Sequence, residues 1–361
     1  MSVALGVTDV VVMPTMHRAE TISSSGVVEA AFFRWALLIV PIATIAILLI
    51  TWIFVKEANV KVVLLLVPIP VLSSFSSIYI GLLNAQGKHS HAVLGPIYGS
   101  IISIFVVFIF SPSAESLALI FLLFECGKTA GLRWHVMPVN RKITGMSNKS
   151  RNLLRKALKD GKWQALGSFL IALNPLIDIL YARSLAMGSI TSIEYTSRLW
   201  NLVPLFFTGL IVTAYAKMSR SAASNCFDKY YVKKTAFNAG VFATILSVIV
   251  IIFSKPLIVI LYSYGSISSQ DHSILSNLLS FYLLGAAPFI AGMVYSRAFS
   301  AQGRVKILAH VALVSVLCNL VFNFIFIKYL GLNGIAFATA MCHLVSLVLF
   351  IWLFNNTKKV L

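Results

Sequence analysis

The sequence predicts an all-α, polytopic membrane helix bundle, made of two homologous lobes of about six helices with the first lobe incomplete. Three observations carry that reading. Hydrophobic residues fill 59% of the 361 positions and charged residues 11%, and the mean hydropathy is +0.90. A soluble domain is nearer half apolar and a quarter charged, so this composition belongs in a bilayer. The apolar runs are about 20 to 28 residues long and parted by short polar turns, which is helix length for a bilayer. A membrane barrel would alternate over roughly ten residues instead. Lastly, the chain repeats itself: the turn Ala85-Gln86-Gly87-Lys88 returns as Ala301-Gln302-Gly303-Arg304, each time between two apolar segments. A duplicated polytopic bundle points to a transporter.

Eleven apolar segments follow in order, at about 1–16, 27–55, 62–84, 92–112, 115–138, 163–186, 193–216, 235–263, 273–299, 305–328 and 333–355. Alternate connections collect Lys and Arg: 17–26, 85–91, 139–162, 217–234, 300–306 and the tail 356–361. The positive-inside rule makes these cytoplasmic and the sparsely charged loops between them external. The first segment is short, carries Asp9 and would start outside, so a further helix is expected before it. No charged n-region precedes it, so it does not read as a secretory signal. The expected domains are an incomplete N-terminal lobe over 1–139, a basic cytoplasmic linker over 140–162 and a C-terminal lobe over 163–361. Within the linker, Ser150 to Trp163 reads either as a basic amphipathic helix on the inner leaflet or as a plain topology signal.

The net charge of +18 would suggest nucleic acid on a soluble protein. Here topology and anionic membrane lipids account for it, and no nucleic-acid partner is expected. Cys126, Cys226, Cys318 and Cys342 are scattered without metal or disulfide spacing, so they read as buried structural thiols. No P-loop, H-E-x-x-H or nucleophile elbow is present, and the short outer loops offer few acids, so no enzyme and no metal site are expected.

Four stretches carry a family resemblance. They are Leu261-Tyr262-Ser263-Tyr264-Gly265, Tyr295-Ser296-Arg297-Ala298-Phe299, the run from Cys318 to Asn323 (CNLVFN) and the run from Leu330 to Thr339 (LGLNGIAFAT). In this order and spacing they resemble the second half of the MurJ/MviN-type lipid II flippases, within the multidrug/oligosaccharidyl-lipid/polysaccharide exporter superfamily. The resemblance implies two six-helix lobes facing a central cavity. It implies alternating-access transport of a polyprenyl-diphosphate-linked glycan across the bacterial inner membrane. The protein would act as a monomer without a cofactor, coupled to membrane potential or an ion gradient. O-antigen (Wzx-type) flippases share this architecture, as do drug/cation antiporters, which would concentrate more acids in their helices. The chain departs from the pattern in lacking the first core helix with its arginines and two C-terminal helices. Arg198 matches the family's cavity arginine, but Ser197 stands where an acid usually precedes it.

Charged groups inside membrane segments are costly and therefore candidates for function. Arg198 lies roughly 12 Å into its helix, at 1.5 Å per residue, where its guanidinium suits a diphosphate. Alternatively it pairs with Glu194 one turn earlier. Asp178 sits within its segment with Asn174 one turn before it, and is either a proton or cation coupling site or the partner of Arg198 or Arg183. Arg183 is nearer the outer end and can snorkel. Asn319 and Asn323 share a helix face and read first as interhelical hydrogen-bonding groups. The substrate-binding set is thus Arg198, Asp178, Asn174, Arg183 and Asn319. His310 and His343 read as packed histidines, and Glu125 with Lys128 as a local pair near a cytoplasmic end.

Overall fold

The structure, a computed structural model, describes residues 2–21, 27–37, 41, 44, 60–111, 113–136, 147–262 and 268–356. The expected linker loop at 140–146, most of the outer turn before Ser268 and the tail beyond Asn356 lie outside these residues. The described residues are almost entirely helical and contain no strand. They form two compact units, Met1–Ala165 and Leu166–Leu361.

The first unit holds α1 (Ser2–Thr21), α2 (27–37), α3 (Val60–Leu66), α4 (Pro68–Ala85), α5 (His89–Ile109), α6 (Ala114–His135) and the start of α7 (Asn148–Ala182). The second holds the rest of α7, then α8 (Ser189–Trp200), α9 (Leu202–Ala223), α10 (Lys229–Ile252), α11 (Ser254–Tyr262), α12 (Ser269–Leu283), α13 (Ala286–Ala301), α14 (Val305–Leu330) and α15 (Leu332–Asn356). Four expected segments are each divided into two helices, and the breaks have a common cause. Pro68 opens α4, and Pro204, Pro256 and Pro288 are the third residues of α9, α11 and α13. Proline lacks an N–H, so it fits the first turn of a helix, where that group has no intrahelical acceptor. The break before α13 bends the chain by 41°.

The basic stretch after Ser147 is helical, but it does not end where the apolar segment begins. α7 runs unbroken for 35 residues, so the basic turns and the apolar turns are one helix.

Both repeated turns close in the same way. Gly87 and Gly303 have φ of 76° and 73°. Their N–H groups donate to Asn84 O and Ser300 O at 3.2 and 2.9 Å, and those of Lys88 and Arg304 to Leu83 O and Phe299 O at 2.8 and 2.9 Å. This is a Schellman ending, in which only glycine takes the left-handed position without strain. The repeated four-residue string is therefore a repeated piece of geometry.

In unit 1, α5 packs along α6, and α4 packs against both α1 and α6. The α5–α6 seam is two interlocked small-residue motifs, Gly95/Gly99 and Gly127/Gly131. A methyl on Gly99 would stand 2.5 Å from Phe124 O, one on Gly127 2.5 Å from Ile102, and one on Gly131 would strike the Tyr98 ring. Backbones approach this closely because lipid offers no hydrophobic drive between helices, leaving close packing to hold them. In unit 2, α14 pairs with α15, and α13 lies against α9, α10 and α15. Burial follows a membrane pattern: Phe108 is 86% exposed, while Ser76 and Asn323 are 0% exposed.

Candidate functional site

The apolar half of α7 runs beside α14. Gly167 permits the approach, since a methyl there would lie 3.4 Å from Ala309 Cα, and Tyr181 OH donates to Leu320 O at 3.1 Å further along. Between these contacts lies Asp178, buried about 22 Å along the helix from Trp163 at 1.5 Å per residue. Its Oδ1 accepts from Asn319 Nδ2 at 3.1 Å and from Asn323 Nδ2 at 2.9 Å, and its Oδ2 accepts from Thr339 Oγ1 of α15 at 3.4 Å. The amides are tied together: Asn323 Nδ2 also donates to Asn319 Oδ1 at 2.8 Å, and Asn319 Nδ2 to Asn174 O at 3.2 Å. Asn319 and Asn323 are four residues apart on α14, one turn, so both amides reach one carboxylate.

Every donor to Asp178 is neutral. Neither Arg183 nor Arg198 forms an ion pair with it among the described residues, which corrects the expected arginine partner. Arg183 follows the end of α7 and is exposed. Meanwhile Asn323 Oδ1 and Asn174 Oδ1 are buried without a donor. The network thus holds one carboxylate among donors from two further helices and leaves two amide oxygens unused.

Arg198 stands apart from this cluster. It is exposed on α8 about 14 Å from Ser189, its guanidinium carbon 5.9 Å from the centre of the Tyr195 ring. Tyr195 is fixed in turn by Tyr262, whose ring lies 5.1 Å away and whose OH donates to Tyr195 O at 3.3 Å. The alternative pair with Glu194 is not formed among the described residues; both side chains are exposed. His343 packs as expected, its ring centre 4.6 Å from that of Phe289 and 5.8 Å from that of Trp200.

The structure therefore joins Asp178, Asn319 and, through its carbonyl, Asn174, and leaves Arg198 and Arg183 outside. Thr339 was not anticipated; a lone threonine in an apolar run gave no signal beyond its hydroxyl. The cysteines need correction as well, since only Cys342 is buried, Cys318 is intermediate, and Cys126 and Cys226 are exposed.

Residues 6–361 match the sequence model of the family described as Lipid II flippase MurJ. The chain belongs to the MurJ lipid II flippase family. A relative from Buchnera aphidicola subsp. Schizaphis graminum (strain Sg), named Probable lipid II flippase MurJ, is 27% identical over 205 residues, 55% of this chain and 39% of the relative. One of the same name from Helicobacter pylori (strain J99 / ATCC 700824) is 28% identical over 223 residues, 59% of this chain and 48% of the relative. The chain spans less than half the length of these two MurJ relatives. A crystal structure of MATE in complex with MaL6 superposes with a TM-score of 0.83, covering 98% of this chain and 86% of that one at 14% identity, which shows a shared fold. The MurJ family is one of transporters rather than enzymes. Among the described residues seven helices are long and apolar enough to cross a membrane, or eight with the bent α12–α13 pair. This MurJ-family chain is a multi-pass inner-membrane protein.

Proposed function

We propose that the protein moves a polyprenyl-diphosphate-linked saccharide, lipid II or a related cell-envelope precursor, across the inner membrane by alternating access. The observation that carries this reading is the match to the flippase family over residues 6–361. In it the two compact units are the two lobes of a duplicated transporter, acting as a monomer. Arg198 binds the diphosphate: an exposed guanidinium inside a membrane segment presents paired donors and a charge to an anion in a partly dry space. Asp178 with Asn174, Asn319, Asn323 and Thr339 takes a monovalent cation whose gradient, with the membrane potential, drives the cycle. The unused oxygens of Asn174 and Asn323 support that role. Lys149, Arg151, Arg155, Lys156, Lys159 and Lys162, all exposed on the first turns of α7, contact anionic headgroups of the inner leaflet.

The test is complementation of cells depleted of their lipid II flippase by the full-length protein, with cells lacking an O-antigen flippase as a parallel arm. Rescue of the first strain supports the reading. Rescue of the second alone assigns another polyprenyl-linked glycan, and rescue of neither, with protein in the membrane, refutes it.

A further inference from the structure

In unit 2 the breaks of two spans, α8–α9 and α12–α13, lie against each other. Pro204 has no N–H to offer Trp200 O, and Pro288 none to offer Leu284 O, so each span lacks one hydrogen bond where its two helices join. α8 packs against α12 ahead of the breaks and α9 against α13 beyond them, while α12 and α13 both lie on α15. α15 itself is unbroken over 25 residues. Gly285 sets the α12–α13 break directly on that helix, since a methyl there would stand 2.7 Å from Ala340 Cα and 3.2 Å from His343 Cδ2.

Trp200, the last residue of α8, fills the junction. It is buried, and its ring is stacked on that of His343 at 5.8 Å between centres and 13° between planes. Its centre lies 5.9 Å from that of Phe289 and 6.2 Å from that of Tyr282. One side chain of the first break therefore touches α12, α13 and α15 at the second. α11 is tied to the same two leading helices: Ser254 Oγ lies 2.7 Å from Ser276 Oγ of α12, and Tyr262 OH donates to Tyr195 O of α8 at 3.3 Å. Side chains thus join α8, α11 and α12 to one another, whereas each meets the rest of its own span only through a break. Hinges are placed at such element ends.

We infer that α8, α11 and α12 form one block that swings about a joint at Trp200, Gly285 and His343, with α15 as its support. Trp200 and His343 are then positioning residues. Their stack makes the two breaks bend together, because a change of angle at Gly285 drags Tyr282 and Phe289 across the indole. Arg198 stands two residues from Trp200 on the swinging side, so the motion turns its guanidinium while its backbone moves little. What Arg198 binds rests on the flippase reading; the joint does not.

The experiment uses the full-length protein in nanodiscs, with pairs of spin labels in an otherwise cysteine-free chain at three exposed positions, Thr191 of α8, Gln270 of α12 and Tyr329 of α14. P288A is the perturbation: it returns an N–H to Leu284 O, alters no residue of α8 and needs no ligand. At 1.5 Å per residue Ser269 is about 24 Å from Gly285, so a change of about 10° at the break moves it by roughly 4 Å. In P288A the Gln270–Tyr329 and Thr191–Tyr329 distances both shift by several Å, and the Thr191–Gln270 distance holds. Adding W200A keeps the shift at Gln270 and abolishes that at Thr191, whereas W200F in its place keeps both. If W200A does not fold, H343A removes the other face of the stack with the same effect. If P288A does not fold, G285A replaces it, its methyl driving the break away from Ala340. A Thr191 label that stays in place when the break is altered overturns the inference, as does one that still shifts without the stack. Lipid II transfer by the unlabelled wild type in proteoliposomes is read separately: its absence refutes the flippase reading, while the distances still decide the joint.

Discussion

Asp178 and Arg198 carry charges in membrane segments under opposite conditions: one is buried among amides, the other is exposed beside a tyrosine ring. Asp178→Asn keeps an acceptor for the two amides and removes the charge. The variant folds, and its flipping rate loses dependence on the cation gradient and membrane potential; an unchanged profile would make Asp178 structural. Asp178→Ala also strands the Asn319 and Asn323 amides, and about 1–3 kcal/mol is lost per unsatisfied group, visible as a lower thermal midpoint. Arg198→Ala abolishes complementation with normal protein levels, and Arg198→Lys restores it in part, because lysine keeps the charge without the planar fork. The stability cost of losing the contact with Tyr195 is about 0.5–1 kcal/mol or less, so a fall in protein abundance would contradict the binding role. At this scale the sequence was legible where a charge or a pair of amides one turn apart interrupts an apolar run. That Asp178 meets amides and a hydroxyl rather than an arginine was not legible, because side-chain partners depend on helix rotation, and helices rotate to bury small and polar residues together.

At the scale of elements, ten of the eleven expected segments each correspond to one helix or one broken helix, and the second, 27–55, lies largely outside the described residues; length and hydropathy decide spanning segments almost alone. The breaks follow the prolines, though Pro256 marks one that the apolar pattern of its segment concealed. The continuity of α7 was hidden for the same reason: a change from basic to apolar composition is no obstacle to a helix whose hydrogen bonds are all internal. The glycine seam between α5 and α6 was also missed, since glycine in an apolar run is ambiguous until a partner is placed against it. Gly131→Leu drives a side chain into Tyr98, and overpacking of this kind costs about 1–3 kcal/mol. The measured consequence is a reduced thermal midpoint with α5 newly open to lipid-phase crosslinkers; no change would dismiss the seam. Gly87→Ala or Gly303→Ala forces a side chain into the left-handed region and costs about 1 kcal/mol at each turn, measured the same way.

For the whole molecule, charge sets orientation. The positive-inside rule predicts that Lys88, Lys149, Lys229 and Arg304 all face the cytoplasm, so single cysteines at these positions in an otherwise cysteine-free protein resist impermeant reagents in intact cells, and labelling at any one would invert that part of the topology. The duplicated turns and the family match over residues 6–361 support the proposed transporter of two repeats. In the proposed cycle a lipid-linked diphosphate crosses the bilayer through contact with Arg198 at the expense of a cation held by Asp178. The direct measurement is transfer of labelled lipid II between leaflets of proteoliposomes holding the full-length protein, with and without a sodium gradient. The account predicts transfer that rises with the gradient, loses that dependence in D178N and vanishes in R198A; lipid II that stays on its original leaflet under sodium and proton gradients alike, with folded protein in the membrane, would contradict it.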